Sequence, residues 1–335
     1  VGDVPILRNS ERSTFRRCPQ KWWWTYREGL TGSYEPASAL WFGTGVHEVL
    51  AQWYRPGAER GLRPDVAWNR WVKGETEEIR THATGSDDYR EDVFVDAATL
   101  GEHMLKGYYD KYAIDKNWDV IATEQPFQVE IPHPDKPGKP IVVMAGTFDG
   151  VYRDKSDDEV YLMEHKTAKA LGSAHLEIDT QAGTYWLVAQ SVLREQGVLS
   201  KGQNIKGIQY NYLKKSLPDE RPKDSMGRAL NQNGSISKVQ PGPLFDRPLI
   251  EKDAGRRRRQ LEAIQDEAVI MGKIRKGKLP LTKSPDWTCH WQCPFFEMCV
   301  LHDRGGVSFE RYKKAMYTER DPYADHRKSA AVEAA

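Results

Sequence analysis

G-T-F-D-G-V-Y-R-D-K-S-D-D-E-V-Y-L-M-E-H-K, residues 146 to 166, is the stretch on which the reading of this chain turns. Two apolar runs, with Val142, Val143, Val151 and Tyr152 before a charged turn and Val160, Tyr161, Leu162 and Met163 after it, predict a β-hairpin. The turn is Asp154-Lys155-Ser156-Asp157-Asp158. Into this apolar setting the sequence puts Asp149, Glu164 and Lys166, and charge inside a sheet is stable only with a partner or a metal. Strand alternation sends Glu164 and Lys166 to one face and His165 to the other, and leaves the His165 backbone carbonyl free to bind a cation. With Asp149 on the adjoining strand, two carboxylates and a carbonyl form a hard-oxygen set for Mg2+ or Mn2+, and Lys166 stands beside it. Such a site suits phosphodiester hydrolysis. An ordinary cross-strand ion pair on a surface hairpin is the competing reading of the same residues.

Outward from the hairpin, Trp118 to Ile131 reads as a strand and a Pro/Gly-rich turn leads from it into the hairpin. Glu124 on this strand is within reach of the site, but an edge-strand carboxylate is the simpler reading. Downstream, I-D-T-Q-A-G-T-Y-W-L-V-A-Q predicts a helix capped by Asp179 or Thr180 and closed near Gly197, with Gln181 and Tyr185 on one face. A strand then carries Ile208, Tyr210 and Tyr212 in alternation, which gives an α/β sheet with a crossover. The α/β core is expected over 118–213.

Upstream, A-L-W-F-G-T-G-V-H-E-V-L-A-Q-W-Y is helical by its apolar spacing and holds His47, either a packed histidine or a ligand. Residues 55–115 are expected to form a helical lobe. The segment around Cys18 interleaves Phe15, Trp22, Trp23, Trp24 and Tyr26 with Arg16, Arg17, Lys21 and Arg27, which reads either as a surface for bases and phosphates or as a core stripe with a solvated face. Residues 214–247 lack periodicity and are expected to be a mobile loop. A long helix from about Leu249 to Ile274 carries Arg256, Arg257, Arg258 and Arg259; Arg256 and Arg259 are candidates for phosphate contact, with solvated surface the alternative. Residues 304–335 are expected to be a polar tail.

The 335 residues allow one elaborated domain, and a net charge of +1 leaves DNA binding to local basic patches. No run reaches the apolar length of a membrane span, no leader peptide is visible, and the cytoplasm is the expected location. Four cysteines, Cys18 and the C-x3-C-x5-C group Cys289, Cys293 and Cys299, supply four thiolates, enough for a [4Fe-4S] cluster or a tetrahedral zinc. Either would join 1–35 to 280–303. The ligand spacing favours the cluster over the two tight knuckles of structural zinc.

In this order, Cys18, G-T-G-V-H ending in His47, G-T-F-D-G with Asp149, E-H-K with Glu164 and Lys166, Q-A-G-T-Y with Gln181 and Tyr185, then three cysteines, the chain resembles the RecB-like branch of the PD-(D/E)XK nuclease superfamily, and within it the iron-sulfur members. These include CRISPR-adaptation nucleases, the AddB nuclease domain and phage exonucleases. The resemblance implies a restriction-endonuclease-like α/β fold, a mixed central sheet flanked by helices with helical insertions, and a cluster joining the two ends of the chain. It implies that His47, Asp149, Glu164 and the His165 carbonyl bind Mg2+ or Mn2+, that Lys166 is catalytic, and that Gln181 and Tyr185 complete the catalytic set. Phe148 stands where the superfamily's nominal proline would be. The activity implied is exonucleolytic cleavage of single-stranded DNA or DNA ends in recombination, repair or phage replication. Arg16, Arg17, Lys21, Arg256 and Arg259 are the candidate DNA contacts. No nucleotide-binding motif is present, so a helicase or recombinase partner would be a separate chain. A non-catalytic iron-sulfur subunit that binds DNA ends is the alternative, and it has no need for Asp149, Glu164 and Lys166 together.

Overall fold

A computed structural model describes residues 4–32, 37–82 and 91–324. In chain order the elements are β1 (Ile6–Arg8), α1 (Asn9–Arg17), α2 (Pro19–Trp22), β2 (Leu30–Thr31), α3 (Ala39–Trp53), α4 (Pro64–His82), α5 (Glu91–Tyr112), β3 (Trp118–Pro132), β4 (Pro140–Asp154), β5 (Glu159–Ala168), α6 (Thr180–Glu195), β6 (Gly207–Lys214), β7 (Phe245–Asp246), β8 (Leu249–Ile250), α7 (Ala254–Arg275), α8 (Cys289–Gln292), α9 (Phe296–Arg304), α10 (Val307–Met316) and β9 (Thr318–Glu319). The seven-stranded sheet is mixed and lies between helices, the restriction-endonuclease-like arrangement.

The hairpin of β4 and β5 is antiparallel, and β5 then pairs in parallel with β6 through the α6 crossover. Alternation divides the core. Val160 and Leu162 pack with Ala189, Val192 and Ile264 under α6 and α7, whereas Tyr161 and Met163 pack with Trp53, Leu105 and Tyr108 under the helical lobe.

The register contains a fork. On one side β4 is paired with β3 along most of its length. On the other side β1 covers Val143 to Ala145 and β5 covers Gly150 to Asp154. Residues 146–149 have no strand partner on that second side, and Asp149 stands at this gap.

Several expectations change in detail. The long helix begins at Ala254 rather than near Leu249, because Leu249 and Ile250 pair with β6 and Asp253 caps the helix through the Arg256 N–H. Residues 304–324 are not a tail: α10 follows α9, β9 pairs with β2, and buried Tyr323 donates its hydroxyl to Glu11. A polar sequence concealed this because the docking is by hydrogen bonds and by close approach at Gly29, whose φ is +66° and whose missing Cβ would lie 2.3 Å from the Arg320 carbonyl oxygen. The remainder of the expected tail, and the turn expected between α4 and α5, lie outside the described residues. Residues 214–247 are irregular, as their composition implies, but close on themselves through bridges between Lys223 and Ala229 and between Leu230 and Ile236.

Trp22 and Trp24 are buried in packing clusters, which removes them as base-stacking surfaces. Arg16 bonds Glu267 and Thr180, Arg17 bonds Thr288 and Gln292, and Arg256 bonds Glu177. Arg259 is exposed and Lys21 half-buried.

Candidate active site

The site is assembled at the fork from both faces of the sheet. Because the pairing of β5 with β4 stops at Met163 and Gly150, leaving 146–149 uncovered, the His165 backbone N–H donates to Asp149 Oδ2, at 2.6 Å, in place of a strand carbonyl. Asp149 Oδ1 lies 3.3 Å from His47 Nδ1, brought in by α3. Glycine within α3 also lets that helix pack closely on α4: a Cβ on Gly45 would meet the Trp71 ring at 2.4 Å. From the other layer, Gln181 in the first turn of α6 donates from Nε2 to Glu164 Oε1 at 3.0 Å and accepts from Lys166 Nζ at 3.0 Å. The same amide donates to Tyr185 Oη, and the Tyr185 hydroxyl donates to the Thr147 carbonyl, both at 3.0 Å. Gln181 and Tyr185 therefore position the Glu164-Lys166 pair, and Asp179 positions Gln181 by capping α6 through the Ala182 N–H.

His165 points to the opposite face, as strand alternation requires, and stacks on Tyr54 with centroids 5.8 Å apart. Burial holds its imidazole down to about 3, so it is neutral.

The structure adds Glu124, which the sequence reading leaves as an edge carboxylate. His47, Glu124 and Asp149 each offer a ligand atom within 4.8 Å of the others, and they are the one such group of acidic, histidine or cysteine side chains among the described residues. Glu124 sits between the pairs Thr123↔Gly150 and Gln125↔Phe148, opposite Asp149, with φ at +44°. A left-handed residue in mid-strand is costly, about 1–3 kcal/mol, and it follows a register shift between Val120 and Ala122. Neither the register nor this conformation has a sequence signature. Glu164 stands outside that group of three, with Oε1 taken by Lys166 and Gln181; its Oε2 is buried without a hydrogen-bond partner.

Two carboxylates and an imidazole that converge in this way suit a divalent cation, and the buried Glu164 Oε2, which has no donor, is a further oxygen on the neighbouring strand. The charges agree. Burial opposes protonation of His47, but Asp149, Glu164 and Glu124 outweigh it and push the imidazole up to about 9. Burial and the Asp149 charge push Glu164 up to about 7, and partial desolvation with the Asp149 charge pushes the more exposed Glu124 in the same direction, while His47 and Lys166 hold Asp149 below the usual carboxylate range against its own burial. In the protein alone, a proton on His47 offsets the carboxylates. Since its folded value lies above the ordinary 6.5, that charge stabilises the fold below 6.5, and the contribution fades as pH rises through about 9. Ligands must shed these protons to bind metal. Mn2+ affinity is accordingly expected to weaken about tenfold per pH unit on descending from 9 toward 7, with proton release visible as a buffer-dependent heat in calorimetry. An affinity flat across this range would contradict the assignment of His47 as a ligand.

The four cysteines are free thiols, each half-buried. Burial raises Cys293 and Cys299, and Cys18 lies near enough to both to raise them further. The Gln20 N–H to Thr282 carbonyl bond joins the two segments directly.

The PD-(D/E)XK nuclease superfamily profile matches residues 9–300. No curated protein matches the chain. Among solved structures, a crystal structure from Eubacterium rectale named "Putative exonuclease" is similar over 86% of this chain and 93% of that one, at 9% identity and a TM-score of 0.42. With its fold, its fork and a match that takes in the hairpin, the fork carboxylate and the cysteine-bearing segments alike, the chain belongs to the PD-(D/E)XK nuclease superfamily.

Proposed function

We propose that the protein is a Mg2+- or Mn2+-dependent deoxyribonuclease of the RecB-like branch, releasing nucleotides from single-stranded DNA or DNA ends. The carrying observation is the fork itself: a carboxylate-histidine group on β3, β4 and α3 meets a lysine-carboxylate-amide group on β5 and α6 across a gap in the sheet. His47, Asp149, Glu124 and Glu164 Oε2 would hold the metal. The ion would supply Lewis acidity at a phosphate oxygen and a more acidic water. Lys166, charged because Glu164 and Asp149 outweigh its burial, offers its ammonium to the negative charge that develops on the phosphoryl oxygens. Asp149, fixed by the His165 N–H and His47, cannot swing away.

The test is digestion of end-labelled single- and double-stranded DNA with Mg2+ or Mn2+, using the Glu164→Ala variant as control. Metal-dependent shortening in the parent and none in the variant is expected; equal cleavage by both would end the reading.

The cysteines support a [4Fe-4S] cluster in the same protein. What supports this is the ligand spacing, Cys18 with the C-x3-C-x5-C group, together with the Gln20 to Thr282 bond that brings the two cysteine-bearing segments side by side. Anaerobically purified protein is expected to be brown and to contain iron and sulfide. Cys18→Ala is expected to lower the melting temperature more than it lowers cleavage; an unchanged melting curve, or a colourless zinc protein, would refute it. A separate helicase or recombinase is the proposed partner.

A further inference from the structure

Two tryptophans on the C-terminal cysteine segment stand open to solvent: Trp287 is 77% exposed and Trp291 is 56% exposed. The chain's other tryptophans are all buried or half-buried, the usual place for so large an apolar ring. Trp287 lies in the turn that opens α8 and Trp291 on α8 itself, with ring centroids 5.7 Å apart and planes tilted at 50°. Arg17 reaches the same segment, its Nη2 donating to Thr288 Oγ1 at 3.0 Å and to Gln292 Oε1 at 2.7 Å. Both acceptors are neutral, and among the described residues Arg17 forms no ion pair. One carboxylate, Asp286, is close enough to feel its charge, but Asp286 Oδ1 is committed to the Thr288 N–H and hydroxyl. The preceding residue, Arg16, donates from Nη2 to Thr180 Oγ1 at 2.7 Å, and Thr180 adjoins Gln181, the partner of Lys166. Its charge is only half answered, since Glu267 serves both Arg12 and Arg16.

We infer that Trp287 and Trp291 are a stacking platform for unpaired bases of a DNA strand, whose phosphates pass Arg17 and Arg16 on the way to Lys166. The inference rests on the nuclease reading and deepens it, by assigning a second site that holds the strand away from the reacting phosphate. Exposure is the first argument. Two indoles left in water forfeit the gain of burying them, and what they offer in return is a pair of open aromatic faces. Charge and continuity are the second: an arginine without a carboxylate partner sits beside the rings, and the next arginine leads to the first turn of α6, which favours a polyanion that also enters the active site. Geometry is the third. Base faces are free only in an unpaired strand, whereas a duplex presents groove edges and backbone, so the platform selects single strands and tolerates any sequence. The tryptophans around Cys18, Trp22 and Trp24, are packed away; the stacking surface comes from the other end of the chain.

The test uses anaerobically purified full-length protein free of divalent metal, so that binding is read apart from cleavage. The probes are an oligothymidylate, the matching blunt duplex, and a strand of equal length made of abasic sites. The parent is expected to bind the oligothymidylate more tightly than either of the others, with quenching of its tryptophan fluorescence. Trp287→Ala and Trp291→Ala are each expected to raise Kd by about tenfold, and the double variant by about a hundredfold. The double variant should also lose the quenching, and phenylalanine at both positions should restore most of the affinity. Melting temperatures should not move, because neither ring is in the core. Arg17→Ala is expected to reduce the slope of log K against log salt by about 0.7, one phosphate contact on a single strand, which the tryptophan variants leave in place. A double variant that binds the strand like the parent, or a parent that binds the abasic strand as tightly as the intact one, overturns the inference. So does a parent that self-associates through these rings, with DNA affinity the same in the double variant. Tryptophan-dependent binding without any cleavage when Mg2+ or Mn2+ is added keeps the platform and removes the nuclease reading. Cleavage with tryptophan-independent binding does the reverse.

Discussion

Replacing Lys166 by alanine is expected to reduce DNA cleavage by about 10²–10³ while leaving the fold intact, the loss typical of removing one preorganised donor from a developing charge. The ammonium is half-buried at the cleft, within hydrogen-bond distance of both Glu164 and Gln181, so its direction is fixed before any substrate arrives. Glu164→Ala is expected to cost more, since one change removes the anchor of the lysine and the unpartnered oxygen facing the proposed metal. Both residues end a strand whose backbone remains paired to β6, and for that reason secondary structure should survive. Single-turnover cleavage, read beside circular dichroism and melting, checks this. Cleavage at the parental rate in either variant would remove the proposed chemistry.

Arg247→Ala is expected to be strongly destabilising, by about 3–5 kcal/mol, because it strands a carboxylate whose side chain is only 10% exposed. The guanidinium bonds Asp115 twice, at 2.6 and 3.0 Å, and also the Tyr54 and Tyr108 hydroxyls, at 3.0 and 2.8 Å, with the Tyr112 ring centroid 3.5 Å away. It joins the β7–β8 connection to the helical lobe. At about 2 °C per kcal/mol for a chain of this size, the melting temperature should fall by roughly 6–10 °C. Arg247→Lys should recover little of this, a point charge being no substitute for the two-pronged contact. Activity should fall as well, since Tyr54 stacks on His165 and the His165 N–H holds Asp149. A variant that melts with the parent would show that the network contributes nothing net.

Local chemistry explains what was legible. Asp149, Glu164 and Lys166 announce themselves as charges in apolar runs, and strand alternation alone puts Glu164 and Lys166 on one face with His165 on the other. The α6 cap, the face shared by Gln181 and Tyr185, and the crossover to β6 follow from the same short-range rules. Glu124 and Arg247 were not legible in this way. Each is one polar residue in an unremarkable segment, and each acquires its role from neighbours distant in sequence. The docking of 304–324 was hidden for the same reason.

The sequence by itself determined the main elements of the α/β core, their order and most of the residues able to do chemistry there, because periodicity, capping and the expense of buried charge act over a few residues. Only the tertiary structure decided which of those residues meet. The absence of a β5 partner for residues 146–149 of β4 and the left-handed turn at Glu124 arise from register and packing between distant segments, which no local pattern encodes.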